Sequence, residues 1–110
     1  MNKNDIIKKA EAASFRQSNG EVMRTLTICG IKYKKLSTLL SVMQAYGMAD
    51  DEFVSSVNYL NLSGYIDIRR IDNHVKADLS DCLYEECEAR ILPAGEKLMK
   101  GFTTDEAVEV

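Results

Sequence analysis

The feature that most constrains the fold of this chain is a change of hydrophobic period at Ser63-Gly64. Before this point, apolar residues recur every three or four positions, which is typical of amphipathic helices. The repeat consists of Leu36, Leu39, Leu40 and Met43 in one segment and of Phe53, Val57 and Leu60 in the next. After it, the stretch from Ile66 to Arg69 alternates apolar and polar side chains, which is the period of a half-buried strand. The change predicts a mainly helical α+β fold, with helices over 36–46 and 50–62 and a strand over 66–71.

The two central helices are bounded by residues that commonly end or cap helices. Tyr46-Gly47 closes the first helix, and Asp50 can cap the second, because its carboxylate can accept a hydrogen bond from the first turn. Asp51 and Glu52 follow in that turn, where the helix dipole favours negative charge. Two helices joined by so short a connection predict a helix-turn-helix arrangement.

The first 30 residues predict two further helices that are separated at Asn19-Gly20. Ser18 and Glu21 have the spacing of a capping box, which marks the start of a helix. The second of these helices is therefore expected to run from about 20 to 29 and to stop at Gly30, since glycine is the usual residue after a helix.

The C-terminal part of the chain predicts one return strand and one short helix. Residues 89–92 form the expected return strand, and Pro93 opens the helix, because its missing N–H is tolerated there. The segment 72–88 is long for a hairpin loop, so it is either an extended wing or contains a helical turn that starts at Ser80. The tail 102–110 is expected to be poorly ordered unless it docks.

Two stretches resemble winged helix-turn-helix proteins. Residues 57–66, VNYLNLSGYI, resemble the end of the recognition helix and the start of the wing, and residues 89–101 resemble the second wing strand and the following helix. The resemblance covers about 20–101 and is nearest to small winged-helix proteins encoded by bacterial phages and prophages. It implies a three-helix core with a β-hairpin wing over 20–101, an extra N-terminal helix within 1–19, a short C-terminal helix and a tail over 102–110.

The resemblance implies sequence-specific binding of double-stranded DNA by a small transcriptional regulator. Phosphate contacts would come from the basic segment Lys32, Tyr33, Lys34 and Lys35. Base edges would be read by the polar residues of the recognition helix, Ser55, Ser56, Asn58, Tyr59 and Asn61. Arginines of the wing, Arg69 and Arg70, could enter a minor groove.

Charge supports an alternative function, a protein-interaction module with the same fold. The chain carries a formal net charge of −3. Residues 1–35 hold eight basic and three acidic groups, net +5, whereas residues 36–110 hold six basic and fourteen acidic groups, net −8. The recognition helix opens with Asp50, Asp51 and Glu52, which would face phosphates in the usual docking. An acidic helix or wing would instead suit a basic protein partner.

Other classes of function find little support in the sequence. There is a single histidine, His74, and no catalytic set or phosphate loop, so we expect neither an enzyme nor a cofactor. The three cysteines, Cys29, Cys82 and Cys87, lack the spacing of a metal site or a disulfide framework and are expected to be reduced thiols. No apolar run approaches the roughly 20 residues of a membrane span, and no signal peptide is recognisable, so we expect a cytoplasmic protein without a membrane partner.

The N-terminal helix also predicts a homodimer. Its apolar side chains are Ile6, Ile7, Ala10, Ala13 and Phe15, and they must be buried on the same domain or on a neighbour. Lys3, Lys8 and Lys9 could meet the acidic C-terminal half of a second subunit. The alternative is that this helix packs against its own three-helix core.

Overall fold

The computed structural model describes residues 2–110, and these form four α-helices and three strands. In chain order they are α1 (Lys3–Cys29), β1 (Lys34–Lys35), α2 (Leu36–Ala45), α3 (Asp50–Leu62), β2 (Ile66–Arg70), β3 (Cys87–Ile91) and α4 (Pro93–Met99), with a 3₁₀ turn at Tyr84–Glu86 before β3. The strands form one antiparallel sheet in the order β1-β3-β2. The chain is thus α+β and mainly helical, as the change of hydrophobic period predicts.

The core lies between the first three helices and the inner face of the sheet. Ile66 and Ile68 of β2 are fully buried, while Asp67 and Arg69, which alternate with them, are only partly covered. In the register of the sheet, Ile68 lies opposite Ala89, which is also buried. The sheet therefore has an apolar inner face and a polar outer face, which is what strict alternation along a strand produces.

Most predicted boundaries of the central and last helices are confirmed. Helices α2 and α3 cover the expected segments, and Pro93 is the first residue of α4. The prediction that Asp50 caps α3 is wrong, because Asp50 is the first helical residue and Ala49 is the N-cap. The Glu52 carboxylate accepts a hydrogen bond from the Ala49 N–H at 3.2 Å, which satisfies one donor at this end.

The predicted break at Asn19-Gly20 is wrong, because α1 is one continuous helix of 27 residues. Gly20 is buried in the middle of α1, and a Cβ there would lie 2.2 Å from the backbone oxygen of Glu109. The glycine permits close approach of the C-terminal tail, so it serves packing rather than termination. The expected stop at Gly30 is confirmed, since its φ of 80° is readily adopted by glycine.

The tail 102–110 docks on α1, which is the condition under which we expect it to be ordered. Val108 is 1% exposed. The Asn19 amide donates a hydrogen bond to the Ala107 carbonyl at 2.9 Å, and the Glu109 N–H donates to the Arg16 carbonyl at 3.1 Å. These contacts fix the tail although it has no regular secondary structure.

By contrast, the first half of α1 projects from the body of the protein. Every residue from Asn2 to Ser14 is exposed, and Ile6 and Ile7 retain 56% and 46% of their accessible surface. We call residues 3–14 the helical arm. None of the helices within residues 2–110 is long and apolar enough to cross a membrane.

Three features of the sheet region differ from the sequence interpretation. The return strand predicted at 89–92 is Cys87–Ile91, because Leu92 is the N-cap of α4. Lys34 and Lys35, interpreted as part of a connection, form β1 and pair with Ala89 and Glu88. The chain after β2 folds back along that strand, since the Arg70 N–H donates to the Val75 carbonyl and the Ala77 N–H donates to the Ile68 carbonyl. The segment is therefore not an extended wing, and its helical turn lies at Tyr84–Glu86 rather than at Ser80.

Candidate nucleic-acid interface

The polar outer face of the sheet gathers charged side chains from four segments of the chain. Strand register places Asp67 opposite Arg90, and Glu88 opposite both Arg69 and Lys35. Tyr33, just before β1, and Lys76, on the segment that folds back beside β2, complete the group. We call this surface the outer sheet face, and its members are Tyr33, Lys35, Asp67, Arg69, Lys76, Glu88 and Arg90.

Tyr33 lies at the centre of this face. The guanidinium carbon of Arg69 is 3.5 Å from the centroid of the Tyr33 ring, and that of Arg90 is 4.8 Å from it. Both are within the range of a cation–π interaction. The Tyr33 hydroxyl donates a hydrogen bond to Asp67, and burial together with this bond raises the pKa of Tyr33. One aromatic ring thus orients two guanidinium groups.

Two carboxylates, Asp67 and Glu88, form ion pairs with Lys76 and Arg69. Burial alone would raise the pKa of Asp67, but hydrogen bonds from Tyr33 and from Lys76, whose Nζ is 3.1 Å from Oδ1, lower it below the ordinary value. Glu88 pairs with Arg69 at 2.6 Å between Oε2 and Nε. Each of these carboxylates is therefore paired with a cation of the same surface.

The charge of this surface opposes that of the whole chain. Four cations, Lys35, Arg69, Lys76 and Arg90, accompany two carboxylates, so the outer sheet face has a local excess of two positive charges. Lys32 is exposed just before β1 and adds a third, whereas Lys34 lies opposite the buried Ala89 and belongs to the other side of the sheet. The chain as a whole carries −3. A local excess of positive charge in such a chain suits phosphate groups.

A group of acidic residues lies where the 3₁₀ turn approaches the first turn of α3. The rings of Tyr84 and Phe53 are 6.5 Å apart between centroids, which brings Glu85 and Glu86 toward the end of α3 that carries Asp50, Asp51 and Glu52. Burial, the charge of Glu85 and, to a smaller extent, that of Asp50 raise the pKa of Tyr84. We call this region the acidic surface.

The predicted base-reading residues of α3 are divided between surface and interior. Ser55 is exposed and Asn58 is partly exposed, whereas Ser56 is fully buried. Within residues 2–110 the Ser56 hydroxyl has no hydrogen-bond partner. Tyr59 is also engaged internally, because its hydroxyl donates to Asp105 at 2.8 Å and its ring packs edge-on against Phe15 at 5.2 Å between centroids.

Asn61 has a structural role at the end of α3. It is 7% exposed, and its Oδ1 accepts hydrogen bonds from the Ile68 N–H at 3.2 Å and from Lys76 Nζ at 2.7 Å. The amide nitrogen faces the Ala77 carbonyl at 3.4 Å. These bonds join α3 to β2 and to the segment beside it, so we leave Asn61 and Ser56 out of the interface.

The predicted pair Arg69 and Arg70 is separated by strand alternation. Arg69 belongs to the outer sheet face, but Arg70 lies opposite the buried Cys87. Its guanidinium group pairs with Asp72 at 3.4 Å and with Glu86 at 3.2 Å. Arg70 therefore points away from the surface that carries Tyr33.

The predicted basic segment gains partners that the sequence analysis missed, namely Arg90, Lys76, Asp67 and Glu88. Alternation along 66–69 contained a signal for one of them, because it places Asp67 on the same face as Arg69. The positions of Arg90 and Glu88 depend on the register between β2 and β3, and that of Lys76 depends on the fold-back of the chain.

Comparisons of the chain with protein-family models, with curated proteins and with solved structures find no match. The functional interpretation therefore depends on the geometry and charge of the outer sheet face and on the exposed surfaces of α1 and α3.

Proposed function

We propose that this chain is a winged-helix protein that binds double-stranded DNA chiefly through phosphate contacts of the outer sheet face and the adjoining β1 edge. The supporting observation is the excess of cations there in a chain of net charge −3. The order of elements is compatible with a winged helix, since α2 and α3 form a helix-turn-helix that is followed by the β2–β3 pair. The resemblance of residues 57–66 and 89–101 adds a role as a small transcriptional regulator of phage type.

Phosphate contacts account for the position of the exposed lysines. Lys32 is exposed just before β1, Lys35 is exposed on β1, and Arg90 is exposed on β3. Each cation that neutralises a phosphate releases counterions, so log K falls with log[salt] by about 0.9 per contact. Base reading has a smaller part in this proposal, and it is assigned to Ser55 and Asn58, because an asparagine can bond bidentately to adenine.

The proposal is tested by fluorescence anisotropy of a labelled duplex of about 25 base pairs over a series of salt concentrations. The variant Lys32→Ala/Lys35→Ala should weaken binding of all sequences alike and reduce the salt slope by about 2. The matched control, Lys97→Ala/Lys100→Ala, removes the same charge from exposed lysines at α4 and should leave the slope unchanged. Equal effects of the two variants, or no binding of wild-type protein at low salt, would contradict the proposal.

A second candidate function is a protein-interaction module, and the surface of α3 favours it. The α3 segment contains three acidic residues and no lysine or arginine. Its outward positions include Asp51 and Leu62, and Leu62 is 66% exposed. A partner for this surface would be a basic, amphipathic peptide. Calorimetric titration with such a peptide, comparing wild-type protein with Asp50→Asn/Asp51→Asn, distinguishes the two functions, because these substitutions should weaken peptide binding and should not weaken DNA binding.

We also propose that two copies associate through the helical arm. The arm makes few contacts with its own domain, whereas Phe15 at its base packs on Tyr59 and is not available to a partner. Ile6, Ile7 and Ala10 lie near one another on the arm, and all three are exposed. An exposed apolar stripe on a projecting helix is suited to a second identical stripe, and the arm lysines Lys8 and Lys9 suit the acidic surface of a second copy.

Light scattering tests this association at tens of micromolar, where a dimer of micromolar affinity forms. The substitution Ile6→Asp/Ile7→Asp should give a monomer without loss of stability. The matched control is Ile28→Asp/Ile31→Asp, because these isoleucines, in the last turn of α1 and just after it, are 86% and 78% exposed. This control should leave the association unchanged. A wild-type monomer at this concentration would overturn the proposal.

A further inference from the structure

Two of the three cysteines lie side by side where β3 begins. Cys82 and Cys87 are free thiols, and their Sγ atoms are 3.1 Å apart. The sulfurs of a disulfide are about 2.05 Å apart, so the pair needs to approach by only about 1 Å to form one. We propose that Cys82 and Cys87 are a reversible redox modification site, at which an oxidant of the disulfide class converts the two thiols to an intramolecular disulfide.

The backbone around the pair holds the two residues close before any bond forms. The residues between them contain the 3₁₀ turn, in which the Glu86 N–H donates to the Leu83 carbonyl at 3.0 Å and the Cys87 N–H donates to the Tyr84 carbonyl. The Ile71 N–H donates to the Glu86 carbonyl at 3.0 Å and ties this turn to the end of β2. Little further ordering of the chain is therefore required.

The surroundings assign different roles to the two sulfurs. Cys82 is partly exposed, and Nη1 of Arg70 lies 3.4 Å from its Sγ. Reactive cysteines occur in electropositive, partly exposed surroundings, and the Arg70 guanidinium group supplies that charge beside Cys82. The Glu86 carboxylate lies 3.7 Å from the same sulfur, but its charge is paired with Arg70 at 3.2 Å.

Cys87 is buried at the start of β3. Burial, followed by the hydrogen bond and charge of Cys82, raises the pKa of Cys87 to about 12. Cys87 therefore stays protonated and inaccessible while Cys82 reacts. Once Cys82 is bonded to another sulfur, it no longer carries a charge. The part of the pKa rise of Cys87 that comes from Cys82 is then removed.

The reaction balances with a small-molecule disulfide such as oxidised glutathione. The Cys82 thiolate attacks one sulfur, forms a mixed disulfide and releases one glutathione thiolate. The Cys87 thiol then loses its proton to solvent and attacks the Cys82 sulfur, which releases the second glutathione. In total, two protein thiols lose two electrons and two protons, and the oxidant becomes two glutathione thiols.

Peptide mapping after exposure to oxidised glutathione tests the proposal directly. Cleavage after Lys76 and Arg90 releases residues 77–90, which contain both cysteines and no other lysine or arginine. In wild-type protein this peptide should lose two hydrogens, and excess dithiol should restore it. In Cys87→Ser it should instead carry one glutathione on Cys82, whereas in Cys82→Ser it should remain unmodified.

Cys29 is the internal reference, because it is also partly exposed but, across residues 2–110, no hydrogen bond joins it to a cysteine or a guanidinium group. Cys82 should react several-fold faster than Cys29, and Arg70→Ala should remove this advantage while Arg70→Lys retains part of it. Circular dichroism checks that each variant is folded. Equal reaction rates at Cys82 and Cys29, or disulfides between chains instead of within residues 77–90, would overturn the proposal.

Discussion

The two ends of this chain are held in opposite ways. The helical arm has regular secondary structure but almost no tertiary contact, and all its residues from Lys3 to Ser14 are exposed. The tail has no helix or strand, yet Val108 is buried and Asp105 accepts hydrogen bonds from the Tyr59 and Tyr65 hydroxyls, both at 2.8 Å. Regular backbone structure and tertiary anchoring are therefore separate properties in this protein.

This difference matters because an isolated helix of about a dozen residues is marginal in water. The arm therefore depends on continuity with the buried half of α1, or on a partner. The tail depends instead on a few specific side chains. Substitutions of the residues that anchor the tail should consequently lower the free energy of unfolding, whereas comparable substitutions in the arm should not.

The largest effect is expected for Asp105→Ala. This change removes the acceptor of two tyrosine hydroxyl groups and of the Ala107 N–H, at 2.8 Å, and hydrogen bonds to a carboxylate are worth about 1.5–3 kcal/mol each. Because the tyrosines can regain bonds with water, we expect a loss of about 3 kcal/mol in urea denaturation. Asp105→Asn keeps one carbonyl oxygen and should lose less. Equal stability of all three proteins would show that the tail is not anchored here.

A smaller effect is expected for Gly20→Ala. Alanine normally stabilises the interior of a helix by about 1 kcal/mol relative to glycine. Here the added Cβ would meet the Glu109 backbone at 2.2 Å and displace the tail, so we expect a net loss of about 1–2 kcal/mol. Urea denaturation gives the sign, and a gain in stability would mean that the tail does not lie against Gly20.

The pH dependence of stability should also report on the tail. Burial of the Asp105 carboxyl acts to raise its pKa. The hydrogen bonds from the Ala107 N–H and from the Tyr59 and Tyr65 hydroxyls outweigh burial, and they lower the pKa of Asp105 below its ordinary 3.8. Its contribution is therefore present above that pH and is lost as the pH falls further. Burial, and then Asp105, raise the pKa of Tyr65 from 10.0 to about 12, so a second loss is expected as the pH rises from about 10 to 12. In Asp105→Asn, the loss of stability at acidic pH that comes from this site should disappear, and the loss at alkaline pH should be smaller. Urea denaturation at a series of pH values measures both.

The smallest effect is expected in the arm, for Ala13→Gly. In a packed helix this change lowers stability by about 1 kcal/mol. In the arm it should change the global free energy of unfolding by less than about 0.3 kcal/mol, because the arm can fray while the body stays folded. The measurement is urea denaturation at a concentration where the protein is monomeric. A loss near 1 kcal/mol would mean that arm and body unfold as one unit.

The candidate site shows a similar division between what local sequence predicts and what it does not. The local sequence identifies 32–35 as a basic segment, and the resemblance to winged-helix proteins places Arg69 in the wing. Burial of Ser56 and Asn61 could not be found in this way, since both are polar residues on a helix whose contacts come from distant parts of the chain. Arg90 lies on the outer sheet face because of the register between β2 and β3, and Lys76 lies there because the chain folds back beside β2. Neither arrangement can be recognised from a short stretch of sequence.

The sequence by itself determined the features that depend on neighbouring residues. These are the bounds of α2 and α3, the change to β2 after Gly64 and the start of α4 at Pro93, because hydrophobic period and backbone restrictions act over a few positions. Tertiary structure alone decided that α1 runs through Asn19-Gly20 and that the tail is ordered. The decisive contact there joins Asn19 to Ala107, 88 residues apart, and the burial gained by such a contact can override a local turn signal.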